Sequence, residues 1–220
     1  MELYKLRLEL QSETTFGRGD GLAGVVDREV EHDPFGLPYL RGRTLKGLLA
    51  EECANMLYVL KQQQPRLEQK YMPVAARLFG QPGSGLEQDV YLYFGDAVLP
   101  HDLRLAVQAE VEQNHISRLD VLEALTDIRR QTAVDETGVP DPHSLRSMRV
   151  ILPELFFEAD LIFTETPTPE AINLLNLCAM ALRRAGTGRN RGRGRIKATL
   201  FDPHKQPVRF EPLREELLAS

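Results

Sequence analysis

At 220 residues with 42% hydrophobic content, the chain is long enough to bury a sizeable core. Its net charge of −5 excludes a polybasic protein, so any contact with nucleic acid has to be local. No apolar run approaches the roughly 20 residues that span a bilayer, so we expect no membrane partner. Cys53 and Cys178 lie on apolar helix faces without ligand spacing, which predicts buried thiols in a reducing cytosol.

The first third of the chain predicts a strand and a helix joined by a long loop. Residues 2–10 alternate between apolar and polar side chains, which is typical of a half-buried strand. Apolar residues in 44–60 recur with a helical period. The intervening loop, 17–38, is longer than most connections and carries unusual residues, which favours a functional role.

The middle of the chain predicts one strand between two insertions. Residues 62–85 are polar and indicate a helical or irregular segment that ends in the turn-rich stretch 80–85. Residues 90–98 predict a strand. Residues 101–153 form a large insertion, with a helix predicted over 118–125 followed by a hairpin arm.

The last third predicts a strand, a helix and a short strand. Residues 155–163 are apolar on both faces, which indicates a central strand. Thr168 is the expected N-cap of the following helix and Gly186 its expected end. Residues 196–200 predict the final strand. The order is that of an α+β, ferredoxin-like (RRM-like) βαββαβ core with long loop insertions and a hairpin arm. We therefore expect a single domain over 1–220, with the core at about 1–60, 90–100 and 154–202 and insertions at about 62–88 and 101–153.

Glycine and arginine alternate in residues 182–196. No acidic residue occurs between Ala171 and Leu200, while this interval contains six arginines and Lys197. Removing these seven charges from the net charge of −5 leaves −12 for the rest of the chain. Glycine lets a backbone approach a polyanion closely, and the arginine fork matches phosphate. The segment therefore predicts an anion-binding loop rather than a solvated basic turn.

A second basic cluster opens the first predicted helix. Arg41, Arg43 and Lys46 occur there without an acidic residue among them. The start of a helix is already positive, so added cations are unfavourable unless an anion lies among them. In a βαββαβ fold this cluster and the Gly/Arg segment can converge, and together they predict a track for a phosphate backbone.

Several blocks resemble the RAMP superfamily of CRISPR-associated proteins, with the nearest likeness to the backbone subunits of type III effector complexes. They are Gly-Arg-Gly-Asp at 17–20, the loop motif at 26–39, Arg-Gly-Arg-Thr-Leu-Lys-Gly at 41–47, Arg-Leu-Phe-Gly at 77–80, Phe-Gly-Asp-Ala at 94–97, the arm at 130–138 and the Gly/Arg segment. The likeness spans about residues 1–200. Each motif is weak alone, but their common order is specific.

The resemblance implies an RRM-like core that binds guide RNA, copies that stack side by side, and a thumb-like arm that displaces one nucleotide. It implies target RNA, further copies and other subunits as partners, in a prokaryotic cytoplasm. It also implies that Asp27 supports metal-dependent cleavage of the guide-paired target RNA, with a divalent ion such as Mg²⁺ at Asp27. The RNA-binding residues that we expect are Arg41, Arg43, Thr44, Lys46, Arg129, Arg130, Gly188, Arg189, Asn190, Arg191, Gly192, Arg193 and Arg195.

Other interpretations remain open at this point. Asp27 can be an ordinary loop acid in a non-catalytic RNA-binding subunit, and a guide-processing endoribonuclease shares the same fold. Arg129 and Arg130 can form salt bridges with Asp127 or Asp135 instead of contacting RNA.

Many relatives have a histidine where this chain has Phe16, so no role for an imidazole transfers. His32 can contact RNA or be solvated, and Val134 and Met148 are candidates for wedging against bases. A phosphate-binding metabolic domain is disfavoured because P-loop and Rossmann glycine patterns are missing.

Overall fold

A four-stranded antiparallel sheet forms the centre of the fold, in the order β2-β5-β1-β6. Its strands are β1 (Glu2–Leu10), β2 (Leu92–Phe94), β5 (Phe156–Phe163) and β6 (Ile196–Phe201). The computed structural model describes residues 1–21, 26–80, 91–132, 145–189 and 191–209. β1 pairs antiparallel with both β5 and β6, and β5 also pairs with β2. This is the strand order of a βαββαβ unit, so the predicted fold class and the central position of β5 are confirmed.

Helices cover one face of this sheet. They are α1 (Gly42–Gln63), α2 (Pro65–Phe79) and α5 (Pro169–Ala181). Alternate residues of the central strands point into the core beneath them, with Leu6, Leu8, Phe157 and Leu161 fully buried. Because side chains alternate along a strand, the other face of the sheet carries charged residues such as Arg7 together with apolar ones such as Phe156 and Ile162.

The second helix of the core begins as predicted but ends earlier. The Thr168 hydroxyl accepts a hydrogen bond from the Ala171 N–H, which caps the helix start. The helix then ends at Ala181 rather than near Gly186. The reason is that residues 183–185 pair with 194–196, so the backbone groups that would extend the helix are used elsewhere.

The two insertions, one on each side of β2, are more helical than the sequence predicts. Residues 62–80, left open as helical or irregular, include all of α2, and residues 81–85 lie outside the described part of the chain. The predicted strand over 90–98 is reduced to β2, with Ala97 and Val98 forming isolated bridges after a break at Gly95 and Asp96. A helix that the sequence analysis missed, α3 (His101–Glu112), buries none of its residues. Its contact with the core comes from Val107 and Val111, which lie one helical turn apart and are only partly buried.

The insertion also forms the predicted arm. Helix α4 (Arg118–Leu125) has the predicted bounds and begins with a capping box between Ser117 and Asp120. It leads into β3 (Thr126–Gln131), which pairs antiparallel with β4 (Arg146–Ile151). We call this two-stranded sheet the arm. Val134 lies outside the described residues. None of the described helices is long and apolar enough to cross a membrane.

Candidate nucleic-acid interface

The Gly/Arg segment folds as a hairpin between α5 and β6. The Ala185 N–H donates to the Gly194 carbonyl at 2.9 Å, and the Ile196 N–H donates to the Arg183 carbonyl at 3.0 Å. At the tip, the Arg191 N–H donates to the Gly188 carbonyl at 2.9 Å. We call residues 183–196 the Gly/Arg hairpin. Short pairing at its base holds the arginines of its tip away from the sheet.

The loop that follows β1 packs directly against this hairpin. Since β1 and β6 are antiparallel, the end of β1 lies beside the start of β6. The Thr187 N–H donates to the Thr15 carbonyl at 2.9 Å, and the Gly194 N–H donates to the Glu13 carbonyl at 2.9 Å. The long loop before α1 and the loop after α5 therefore converge at one edge of the sheet, as the sequence predicts.

The glycines of the hairpin have two different roles. Gly186 and Gly194 have positive φ angles of 83° and 74°, and a Cβ would lie 2.4 Å from the Thr15 carbonyl oxygen and 2.2 Å from that of Ala185, respectively. Gly188 and Gly192 also have positive φ, but a Cβ there would meet nothing within 4 Å. The first two glycines allow close packing, whereas the other two leave the surface of the tip open to a ligand.

This difference predicts unequal effects of alanine in the hairpin. Both Gly192→Ala and Gly194→Ala place a side chain at positive φ, which costs about 1–2 kcal/mol. Gly194→Ala also forces a Cβ into backbone, so we expect it to reduce the free energy of unfolding by about 1–3 kcal/mol more than Gly192→Ala. Urea denaturation of the two variants measures the difference, and equal midpoints would contradict this account of the packing.

A cleft of about 500 Å³ separates the hairpin from the arm. We call it the Asp27 cleft, because Asp27 is the carboxylate that lines it. The arm side contributes Ser147 and Met148. Five arginines also line it: Arg28, Arg146, Arg189, Arg191 and Arg193. So many guanidinium groups around one carboxylate create a site suited to a polyanion.

A second basic cleft lies on the other side of the hairpin. It has a volume of about 630 Å³, and its lining includes Arg183, Arg184, Gly192, Arg195 and Lys197. Arg184 and Arg195 are bridge partners in the hairpin, so their like charges lie opposite each other. Such a pair is unfavourable without an anion nearby. Of the residues predicted to bind RNA, Gly188, Arg189, Arg191 and Arg193 line the Asp27 cleft, and Gly192 and Arg195 line this second cleft.

Asp27 is held by one residue of the arm. Its Oδ2 accepts hydrogen bonds from the Ser147 N–H at 2.6 Å and the Ser147 hydroxyl at 3.1 Å. These bonds, with a smaller contribution from Arg146, keep the pKa of the Asp27 carboxyl below its ordinary value. Asp27 is therefore ionised at neutral pH. Both hydrogen bonds that Ser147 donates reach Oδ2 and not the second oxygen, Oδ1.

The loop that carries Asp27 is joined to the arm as a further strand. Arg28 forms a parallel bridge with Met148, and the Arg149 N–H donates to the Arg28 carbonyl at 2.9 Å. Below this pairing, the buried Arg149 Nε donates to Glu29 Oε1 at 2.9 Å, and Arg149 Nη1 donates to the Thr126 hydroxyl at 3.2 Å. The Asp27 loop is therefore anchored in the arm by a buried ion pair.

The first basic cluster differs from the expected arrangement. The anion at the start of α1 belongs to the protein, because Asp96 Oδ1 accepts the Gly42 N–H at 2.7 Å. Arg41 is paired with Glu31 at 2.7 Å. Arg41, Arg43, Thr44 and Lys46 line neither of the two clefts.

The other arginines predicted to bind RNA lie on α1, at the tip of the Gly/Arg hairpin and on the arm. Arg189 pairs with Glu51 of α1 at 3.3 Å. Arg43 precedes Glu51 by two helical turns, about 12 Å along the same face of the helix. Arg129 is paired with Asp127 at 2.9 Å and also with Glu13. It therefore forms salt bridges within the protein, which was the alternative to RNA contact. Arg130 is exposed on the arm.

Several other candidate residues are placed by the structure. Phe16 is buried against Phe157, with ring centroids 5.3 Å apart, and therefore lies in the core. His32 Nδ1 is 3.0 Å from the Asp33 carbonyl oxygen. Met148 is buried and accepts from Arg193 Nη1 at 2.6 Å, so it does not protrude as a wedge. Asn190 and Asp135 lie outside the described residues.

Sequence reasoning missed several residues of the Asp27 cleft, three of which are close to Asp27 in the sequence or in the arm. Arg28, Arg146 and Ser147 line it, and two of these lie on the return strand of the arm. They belong to no glycine-rich or basic motif, so only the pairing of the arm with the Asp27 loop identifies them. Among the described residues, no group of three His, Cys, Asp or Glu side chains could hold a metal ion.

Comparisons with known proteins agree with this architecture. Two cryo-EM structures of the type III-B Cmr-beta complex, one bound to cognate target RNA and one in the apo state, contain chains that superpose with a TM-score of 0.62. The sequence identities are 12% and 13%, and each alignment covers 90% of this chain and 96% of the other. These likenesses show the fold. No curated protein sequence matches the chain significantly.

The family follows from a match over most of the sequence. The profile of the RAMP superfamily aligns with residues 7–197, from β1 through the Gly/Arg hairpin into β6. That span includes the Asp27 loop, the arm, the Asp27 cleft and all of the residues that line the second cleft except Ala198. The chain belongs to the RAMP superfamily.

Proposed function

We propose that this protein binds the phosphate backbone of a guide RNA at the Gly/Arg hairpin, as a backbone subunit of a type III CRISPR effector complex. The observation that carries the proposal is the Asp27 cleft. Five arginines and the glycine backbone of the hairpin line this cleft, although the chain as a whole is acidic. Guanidinium groups and backbone N–H groups recognise phosphate without reading base sequence. Sequence would then be read by pairing between guide and target.

The outer face of the sheet supports this choice of surface. RRM-like sheets stack bases on exposed aromatic rings. Here the Arg7 guanidinium lies 4.7 Å from the ring centre of Phe156 and 5.0 Å from that of Phe201, and it also pairs with Glu158 at 2.8 Å. Lys5 pairs with Asp160 beside it. The rings that would stack on bases are already in contact with a paired cation, which favours the hairpin side for RNA.

The proposed partners follow from the family and the fold. The similar chains come from complexes, one of them bound to cognate target RNA. For this chain we propose target RNA, other effector subunits and further copies of itself as partners in a prokaryotic cytoplasm. The acidity outside the hairpin would then lie on surfaces that face protein rather than RNA.

Replacing Arg191 and Arg193 tests RNA binding. The double alanine variant should weaken binding to all guide sequences alike. It should also lower the slope of log K against log salt by about 1.4, since each lost single-strand phosphate contact removes about 0.7. The measurement is RNA affinity over a salt series. The control is Lys61→Ala with Arg66→Ala, which removes two exposed charges from α1 and α2. A loss confined to some sequences, or an equal loss in the control, would contradict the proposal.

We further propose that Asp27 supports cleavage of the guide-paired target RNA. In this reaction a 2′-oxygen bonds to the adjacent phosphorus, the bond to the 5′-oxygen breaks, and a 2′,3′-cyclic phosphate and a 5′-hydroxyl result. The 2′-hydroxyl proton leaves to solvent and the 5′-oxygen gains one. The low pKa of Asp27 makes it a weak proton acceptor, which favours an electrostatic and orienting role.

The residues present fit a loosely held, hydrated Mg²⁺. The hydrogen bonds from Ser147 reach Oδ2 of Asp27 and not Oδ1, and the described residues supply no cluster of three ligands. Mg²⁺ is commonly bound by one or two carboxylates plus phosphate oxygens. When bound, it would neutralise charge at the scissile phosphate. Asp27 would hold it, and the arginines of the cleft would orient the RNA.

A further inference from the structure

The side chain of Asp27 is exposed, yet its orientation is fixed by a single residue. Besides the two bonds that Ser147 donates to Oδ2, the Asp27 N–H lies 3.2 Å from the Ser147 hydroxyl oxygen and 3.1 Å from the Ser147 carbonyl oxygen. Both the backbone and the carboxylate of Asp27 are therefore bound to Ser147. An exposed aspartate without such partners would rotate among its rotamers.

Ser147 belongs to the arm and not to the central sheet. It lies on β4, and its neighbours Met148 and Arg149 continue the contact with the Asp27 loop through the bridge to Arg28 and the ion pair to Glu29. These contacts are backbone pairing and a buried ion pair, which resist independent movement of the loop. Asp27 and the arm therefore form one unit.

We propose that Ser147 is a positioning residue for Asp27, which fixes the carboxylate to the arm and leaves Oδ1 available to the RNA. The inference rests on the proposed cleavage at Asp27. It implies that the cleavage point is set by the arm, because the carboxylate keeps a constant position relative to whatever the arm contacts. The hydroxyl of Ser147 contributes orientation and does not touch the reacting atoms.

Ser147→Ala tests this role in the assembled complex with guide RNA. The change removes the hydroxyl but keeps the N–H that donates to Oδ2. We expect target cleavage to slow by about 10–100-fold, the equivalent of one hydrogen bond to a charged group, with guide affinity unchanged. Ser147→Thr retains a hydroxyl and should restore cleavage to within about threefold of the unmodified protein.

A double-variant comparison separates positioning from a general structural effect. If Ser147 acts through Asp27, adding Ser147→Ala to Asp27→Asn should cause no further loss of cleavage. Multiplicative losses, failure of threonine to rescue, or an unchanged rate in Ser147→Ala would each overturn the inference. If Ser147→Ala cleaves normally while Asp27→Asn is inactive, only the positioning role fails. If Asp27→Asn cleaves normally, the proposed cleavage function fails with it.

Discussion

Glu29→Ala is expected to lower the free energy of unfolding by about 3–5 kcal/mol, because it leaves the buried guanidinium of Arg149 without its carboxylate. The side chains of Glu29 and Arg149 are only 4% and 5% exposed, so water cannot replace the lost partner. In a protein of this size the loss corresponds to a fall in melting temperature of about 10 °C. Urea denaturation with an unchanged m-value measures it.

Two controls separate burial from charge alone. Asp160→Ala breaks the Lys5 pair, whose side chains are 35% and 49% exposed, and should cost no more than about 1 kcal/mol. Combining Glu29→Leu with Arg149→Met removes both charges together and should recover most of the stability. If Glu29→Ala were no more harmful than Asp160→Ala, the ion pair would not anchor the Asp27 loop.

Asp27→Asn is expected to slow target cleavage by about 10²–10³-fold, the usual loss when one electrostatic group of an active site is removed. The amide keeps the size of the side chain and an oxygen that can still accept from Ser147, but it loses the negative charge. Guide affinity should change little, since the arginines of the cleft remain. Single-turnover cleavage of a guide-paired target by the assembled complex gives the rate.

Replacement of a second carboxylate serves as the matched control. Asp20→Asn changes an exposed acid of the same loop that pairs with Arg18 and lines neither basic cleft. It should leave cleavage unchanged. Normal cleavage by Asp27→Asn would support the non-catalytic subunit instead. Precursor cleavage by the isolated chain in EDTA would support the guide-processing endoribonuclease.

The core of the fold was predictable because its patterns are local and strong. β1 alternates cleanly, α5 has a cap and an apolar stripe, and α4 begins with a capping box, so their existence follows from short segments of sequence. Helix α3 was missed: none of its residues is fully buried, and its contact with the core comes from the partly buried Val107 and Val111. The end of α5 was predicted too late because pairing within the Gly/Arg hairpin, a tertiary effect, determines it.

The candidate site was predictable only in part. The composition of the Gly/Arg segment alone predicts that it binds an anion. Ser147, in contrast, has an ordinary sequence context, and only its contact with Asp27, 120 residues away, places it in the site. The basic cluster at α1 stays a predicted RNA contact, but one argument for it is weakened by the structure. Its unfavourable charges suggested a bound polyanion, but the carboxylates of Asp96 and Glu31 supply the compensating charge from distant parts of the sequence.

The central claim is that RNA lies along the Gly/Arg hairpin and faces Asp27. The measurement that tests it most directly is a cryo-EM structure of the assembled complex with guide and target RNA. We predict phosphate oxygens within about 3.2 Å of the guanidinium groups of Arg191 and Arg193, with the scissile phosphate beside Oδ1 of Asp27. RNA bound on the outer sheet face at Arg7 and Phe156, with the Asp27 cleft empty, would contradict the account.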